Sequence, residues 1–177
     1  MRVLAFSDLH RNKAAARKIV TLSGPADVII GAGDFATAQV GTLETLDILR
    51  NCTAPVVLVH GNHDDPDEIA RYCAGWADGH YLHATSVMIG GCVFFGSGGE
   101  IPARTKHPWS VSETEADAAE LIKACPKDAI LVTHTPPRGF ADLQKKGAHK
   151  GSGAIREPFS TTSSVCCCAG ISTTHGG

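Results

Sequence analysis

Val3-Leu4-Ala5-Phe6-Ser7-Asp8-Leu9-His10 sets the reading of this chain: a short apolar run leads straight into an aspartate and a histidine two positions apart. The same order recurs three times downstream. Val28 to Ile30 leads to Gly33-Asp34, Val56 to Val59 to Gly61-Asn62-His63-Asp64, and Ile130 to Val132 to His134 in Thr-His-Thr-Pro-Pro. Apolar runs this short, bounded by turn residues, read as buried strands. An open α/β sheet presents the carboxyl ends of its strands on one rim, where ligands bind. Carboxylates, an amide oxygen and imidazoles gathered there suit hard or borderline divalent metals, so a metal site is expected.

The segments between these runs read as crossover helices. Residues 12–22 have helix-forming Ala, Lys and Arg content, and 42–49 place Leu43, Leu46 and Leu49 at helical spacing. Residues 66–73 read as a short helix beginning with Pro66, a residue that suits a first helical turn. Residues 87–95 read as paired strands turning at Gly90-Gly91. Ser112 and Glu115 match the capping-box pattern ahead of a helix over 116–125, closed by Pro126. No internal repeat or linker divides the chain.

The ordered set Asp-x-His, Gly-Asp, Gly-Asn-His-Asp and a later strand-end histidine resembles the calcineurin-like metallophosphoesterases. It is most similar to their small bacterial and archaeal members, in which Thr-His-x-Pro-Pro is followed by a Gly-Ser helix start, here Gly151-Ser152. The resemblance covers residues 1 to about 157. It implies an α/β fold, a four-layer sandwich of two mixed β-sheets flanked by α-helices. It also implies hydrolysis of phosphoric mono- or diesters, the diester favoured, with two divalent ions drawn from Mn, Fe, Zn and Mg. Such a pair, about 4 Å apart, binds phosphoryl oxygens and activates water for in-line attack.

By this resemblance Asp34 bridges the ions, Asp8 and His10 complete much of one shell, and Asn62 and His134 serve the other. His63 is implied as the general acid that protonates the departing alkoxide, a task suited to an imidazole. Asp64 either orients His63 or caps the helix led by Pro66, and the cap is at least as good a reading. His149 matches a histidine found before Gly-Ser in the family and is a substrate-contact candidate. Lys145, Lys146, His149 and Lys150 precede a helix start whose amides could hold a phosphate, although a solvated basic loop is the better reading. His60 is expected to be structural, and His80, His83 and His107 are assigned no chemistry. The loops 98–110 and 138–150 are the expected walls of the pocket.

Residues 158–177 depart from the family. The Gly-His-x-His motif that would complete both metal shells is absent, so the domain is expected to be C-terminally incomplete, spanning 1–157 and followed by an aberrant tail. Pro158 is expected to halt the helix beginning near Ala154. The genetic code offers a cause. Read from the third base of each codon, Cys166 to Cys168 give two leucines, and the codons that follow can spell Cys-Gly-His-Ile-His. A one-base loss near Glu157 would therefore produce this tail. As written, each metal lacks one imidazole, and since even a ligand's supporting group is worth roughly 10-fold to 100-fold, weak metal binding and poor turnover are expected. His175, flanked by glycines, is a poor substitute.

The bulk numbers fit one enzyme-sized domain: 177 residues, 43% of them hydrophobic. A net charge of -2 makes no electrostatic case for nucleic acid or an acidic membrane. No run approaches membrane-spanning length and the apolar start is too short for a signal peptide, so a cytoplasmic protein is expected. Seven cysteines without zinc-finger spacing read as reduced thiols, the triplet at 166–168 apart. Two function classes follow, a metal-dependent hydrolase of a small phosphate ester and a catalytically inactive relative kept as a binding domain or a nonfunctional gene product.

Overall fold

The computed structural model describes residues 1–143, 147–161 and 166–169. Two four-stranded sheets lie face to face. The first has the order β1 (Val3–Phe6), β2 (Val28–Ala32), β3 (Val56–Val59), β4 (Gly79–Tyr81), and its pairings are all parallel. The second runs β5 (Thr85–Ile89), β6 (Cys92–Ser97), β7 (Ile130–Thr133), β8 (Cys166–Ala169). Here β5 and β6 form an antiparallel hairpin and the other two pairings are parallel, so the mixed character lies in this sheet.

Alternation along the strands builds the layers. Ile29, Val56 and Leu58 pack under α1 (Lys13–Leu22), α2 (Thr42–Leu49) and α3 (Pro66–Ala74). Their neighbours Val28, Ile30, Val57 and Val59 face the other way and meet Phe94 and Val132 between the sheets. Phe95 and Leu131 point outward again, onto Ala118 and Ile122 of α4 (Glu115–Ile122) and Ile155 of α5 (Gly153–Thr161). A strand buried on both faces must be apolar at every position, which is why these runs read as unbroken hydrophobic stretches. Burying each such side chain contributes roughly 1.5–3 kcal/mol.

Helix boundaries follow their caps. Asn12 accepts from the Ala15 N–H at the start of α1. At α3 the cap is Asp65, whose side chain accepts from the N–H groups of Asp67 and Glu68; Asp64 does not cap it. At α4 the cap is Thr114, bonded to the Asp117 N–H, two residues beyond the expected Ser112 and Glu115 pair. Glu115 instead reaches across to α5. Its carboxylate takes the Ser152 hydroxyl at 2.7 Å and the N–H groups of Gly153 and Ala154 at 3.1 and 2.9 Å. The amides considered for a phosphate at this helix start already have an anion in Glu115.

Two elements continue past the expected boundary at 157. α5 runs through Pro158 to Thr161, although a proline there gives no N–H to the carbonyl of Ala154. β8 then pairs with β7, setting Cys166 opposite Ile130 and Cys168 opposite Val132. Cysteine behaves as a small hydrophobe, which lets the triplet occupy a strand in the reading frame given. Residues 170–177, His175 among them, lie outside the described residues, as do Lys145 and Lys146. Among the described residues no helix is long and apolar enough to cross a membrane.

His60, just beyond β3, is buried and bonds the Tyr81 hydroxyl at 2.8 Å. Burial, with the rings of His83 and His134 nearby, pushes its pKa down to about 3. A histidine depressed in the folded state stabilises the fold above its unfolded pKa near 6.5 and loses that contribution as pH falls toward 3. Between pH 7 and 5 the loss comes to roughly 2 kcal/mol. Urea unfolding at the two pH values should show this difference in the native sequence and a clearly smaller one in His60→Gln.

Candidate metal centre

The loops after β1, β2, β3 and β7 converge on the rim shared by their strands. Backbone bonds extend the β1 and β2 pairing beyond the strands: the N–H groups of Asp8, His10 and Arg11 donate to the carbonyls of Gly33, Asp34 and Phe35. To turn this way Asp8, His10 and Asp34 take φ values of 56°, 43° and 58°, in the left-handed region that side chains disfavour. Strained backbone of this kind persists where the surroundings enforce it, and it clusters at functional sites.

Asp64 supplies that enforcement. It is fully buried, and its Oδ2 accepts from the N–H groups of Asp34 and Gly61 at 2.7 and 2.8 Å while Oδ1 accepts from Ala36 at 2.8 Å. The side chain thus ties the β2 loop to the β3 loop, neither orienting His63 nor capping α3. Burial and the Asp34 carboxylate push its pKa up to about 6 against the pull of those N–H groups. At Gly61, a side chain would run into the Asp34 carboxylate and N–H.

Asp34 sits at the centre. It is buried; its Oδ1 accepts from the His63 N–H at 2.9 Å and lies 3.7 Å from Nε2 of His134, while Oδ2 lies 3.5 Å from Nε2 of His10. Both histidines have Nδ1 against a backbone carbonyl, His10 on Ala36 at 3.2 Å and His134 on Ala32 at 2.8 Å. A carbonyl only accepts, so Nδ1 carries the proton in each ring and Nε2 presents a lone pair. This is the arrangement that fixes metal-ligating imidazoles.

His63 has the opposite tautomer. Its Nδ1 accepts from the Ala38 N–H at 3.1 Å, so in the neutral ring the proton is on Nε2. Burial pushes its pKa down, with Asp34 pulling the other way. One ligand atom from each of His10, Asp34 and His63 lies within 4.8 Å of the others. Asn62 gives its amide N–H to the Ser110 hydroxyl at 3.4 Å, which directs a proton-free Oδ1 away from that contact.

These donors fit a cation. Among the described residues Asp8 Oδ2 is buried with no hydrogen-bond partner, beside a second buried carboxylate. Burial raises the Asp8 pKa, and despite burial the carboxylate of Asp34 and the Ala32 carbonyl raise that of His134. A site that draws protons to this degree lacks positive charge, and divalent cations supply it.

Asp8, His10, Asp34, Asn62, His63 and His134 all line one cavity of about 850 Å³. His149 is not among its lining residues. Its Nδ1 bonds Asp142 at 2.6 Å, and among the described residues of that loop Ala141, Asp142 and Lys150 reach the cavity. Against desolvation, the bond from His149 and the N–H groups of Gly139 and Gly151 hold the Asp142 carboxyl down to about 2. Sequence reasoning missed the roles of Asp64, Glu115 and Trp109, since each depends on a contact far along the chain, and that of Asp142, whose bonds lie within its own loop and the turn after it.

Comparison with known proteins places the fold. A UPF0046 protein from Caenorhabditis elegans is 32% identical over 164 residues, a match that takes in 80% of this chain and 53% of that protein. The chain thus spans about half the length of the curated relative it matches. One crystal structure superposes with a TM-score of 0.76 at 17% identity, covering 95% of this chain and 82% of its own, a likeness of fold. A protein of unknown function from Aquifex aeolicus gives a TM-score of 0.49 at 16% identity, covering 94% and 88%. The sequence profile of the calcineurin-like phosphoesterase superfamily domain matches residues 1–168, nearly the whole chain. By that match the chain belongs to the calcineurin-like phosphoesterases, a superfamily of metal-dependent phosphoesterases.

Proposed function

We propose that this chain hydrolyses phosphoric esters, diesters in preference to monoesters, with two divalent cations held in the cavity. The observation that carries the reading is Asp34, buried between two imidazoles whose Nε2 lone pairs face its two oxygens. Asp34 would be shared by both ions, Asp8 and His10 would hold one, and Asn62 and His134 the other. When bound, such cations supply charge for the phosphoryl oxygens and activate water, and Mn, Fe, Zn and Mg all accept mixed O and N donors. The chain's own groups position the ester and its proton. His63, with Nε2 protonated, stands ready to donate to the departing oxygen, while Asp64 keeps Asp34 and the His63 backbone in register.

The test is hydrolysis of bis-nitrophenyl phosphate and nitrophenyl phosphate by the purified chain, with and without added Mn. The expected result is a metal-stimulated rate with kcat/KM higher for the diester. A folded chain with no metal-stimulated rate on either ester contradicts the reading. Absence of Gly-His-x-His from the sequence favours a second one, an inactive relative that binds cations weakly and turns nothing over. A read of the gene from the codon for Gly151 onward separates an altered frame near Glu157 from a genuine divergent tail. An extra base there restores the missing histidines and predicts full activity for the restored protein.

A further inference from the structure

Two loops close on His63. From the segment 37–40, the Ala38 N–H donates to its Nδ1 at 3.1 Å and the Gln39 N–H to its carbonyl at 2.8 Å. From the segment 107–111, the Trp109 indole lies against the imidazole with centroids 4.4 Å apart and planes 38° apart. The Val111 N–H donates to the Asn62 carbonyl at 3.0 Å, and the Ser110 hydroxyl accepts from the Asn62 amide. The loops are also tied to each other, because Gln39 Nε2 donates to the Trp109 carbonyl at 2.9 Å. Ala38 and Gln39 hold φ values of 50° and 61° in making this bracket, a conformation that neither residue favours.

Trp109 is not placed to receive a ligand ring. One face of the indole covers His63, and the other stacks on His107 at 5.1 Å with planes 8° apart. What its bulk does is limit how the imidazole turns. The χ2 torsion of a histidine is broad, and one hydrogen bond to Nδ1 leaves the ring free to leave that partner. Proton donation requires the ring within hydrogen-bond reach of the leaving oxygen, and misplacement by about 1 Å can cost on the order of 100-fold.

We infer that Trp109 is a positioning residue for His63: backed by His107 and tied to Gln39, its indole holds the imidazole with Nδ1 on the Ala38 N–H and a protonated Nε2 left for the cavity. The kinetic part of this rests on the proposed role of His63 as proton donor. A poor leaving group needs that proton and a nitrophenolate scarcely does, so a loss of positioning discriminates between them. A merely structural defect lowers both rates together.

The experiment compares the native chain with Trp109→Ala and Trp109→Phe by two readings. Long-range proton–nitrogen NMR of the metal-free protein at fixed pH reports the His63 tautomer. Steady-state kinetics with Mn reports an alkyl and a nitrophenyl phosphodiester. The expected result is a single Nε2-protonated tautomer in the native chain and in Trp109→Phe, and mixed tautomers in Trp109→Ala. With Trp109→Ala, kcat for the alkyl ester should fall about 100-fold with KM changed less than about 3-fold, and the nitrophenyl ester should lose less than about 3-fold. Should alanine at 109 prevent folding, Gln39→Ala removes only the tie and should give the same selectivity at about 5-fold. An unchanged tautomer together with equal losses on the two esters overturns the inference. If the native chain cleaves neither ester, the proton-donor role of His63 falls, and the tautomer spectra alone decide for or against Trp109.

Discussion

Asp34→Asn should remove metal-stimulated hydrolysis by more than about 100-fold, the upper end of what the loss of a ligand's mere supporting group brings. The substitution is nearly isosteric, and the chain's contacts dictate how the new amide sits. Oδ1 accepts the His63 N–H at 2.9 Å, so the carbonyl oxygen takes that place and the NH2 turns to the other side. There it meets Nε2 of His10, which lies 3.5 Å from Oδ2 in the native chain. The lone pair that would bind a cation is then facing a donor, and the shared negative charge is gone. The fold itself should not suffer, because the Asp34 charge is one of the causes that push Asp64 upward. A urea midpoint equal to or above that of the native chain, with activity lost, is the expected pair of results. A metal-stimulated rate within about 3-fold of the native one would contradict the placement of Asp34 at the centre.

Asp64→Ala should be the most damaging substitution for stability. It strips the acceptor from three buried N–H groups, those of Asp34, Ala36 and Gly61. Leaving a buried donor unpaired costs about 1–3 kcal/mol, so the sum for three is roughly 3–9 kcal/mol, a large share of the 5–15 kcal/mol typical of a domain. The same bonds hold the left-handed turn at Asp34 against the loop after β3, so metal affinity should fall with stability even though Asp64 is no ligand. Urea unfolding measures the first effect and Mn titration the second. A change under about 1 kcal/mol would show that the two loops are held by other contacts.

What the sequence made legible was what depends on near neighbours. Val28 to Ile30 and Val56 to Val59 are apolar at every position because both faces of those strands are covered, and the residues that follow them necessarily reach the rim. Asp8, His10, Asp34, Asn62, His63 and His134 were therefore visible as a set before any geometry, and all line one cavity. Position one residue apart was harder to read. Asp64 and Asp65 both precede Pro66, and nothing local says that Asp65 caps the helix while Asp64 turns inward to the backbone of another loop. Glu115 looked like half of a capping box at its own helix but closes the start of α5 instead. β4, only three residues long, and the stacking of Trp109 on His63 carry no periodic signal, since both are set by contacts between distant segments. The strand at 166–169 was obscured for another reason: the cysteine triplet reads as leucines shifted out of frame, which put the end of the domain at 157, before the strand.

The central claim is that the cavity is a two-cation centre built around Asp34, and counting bound metal tests it most directly. Equilibrium dialysis of the purified chain against Mn, followed by elemental analysis, should give close to two ions per chain for the native sequence. Asp34→Asn should hold one or none, and His134→Ala should hold one. A native chain that binds no Mn above the level of Asp34→Asn at millimolar concentration would contradict the account.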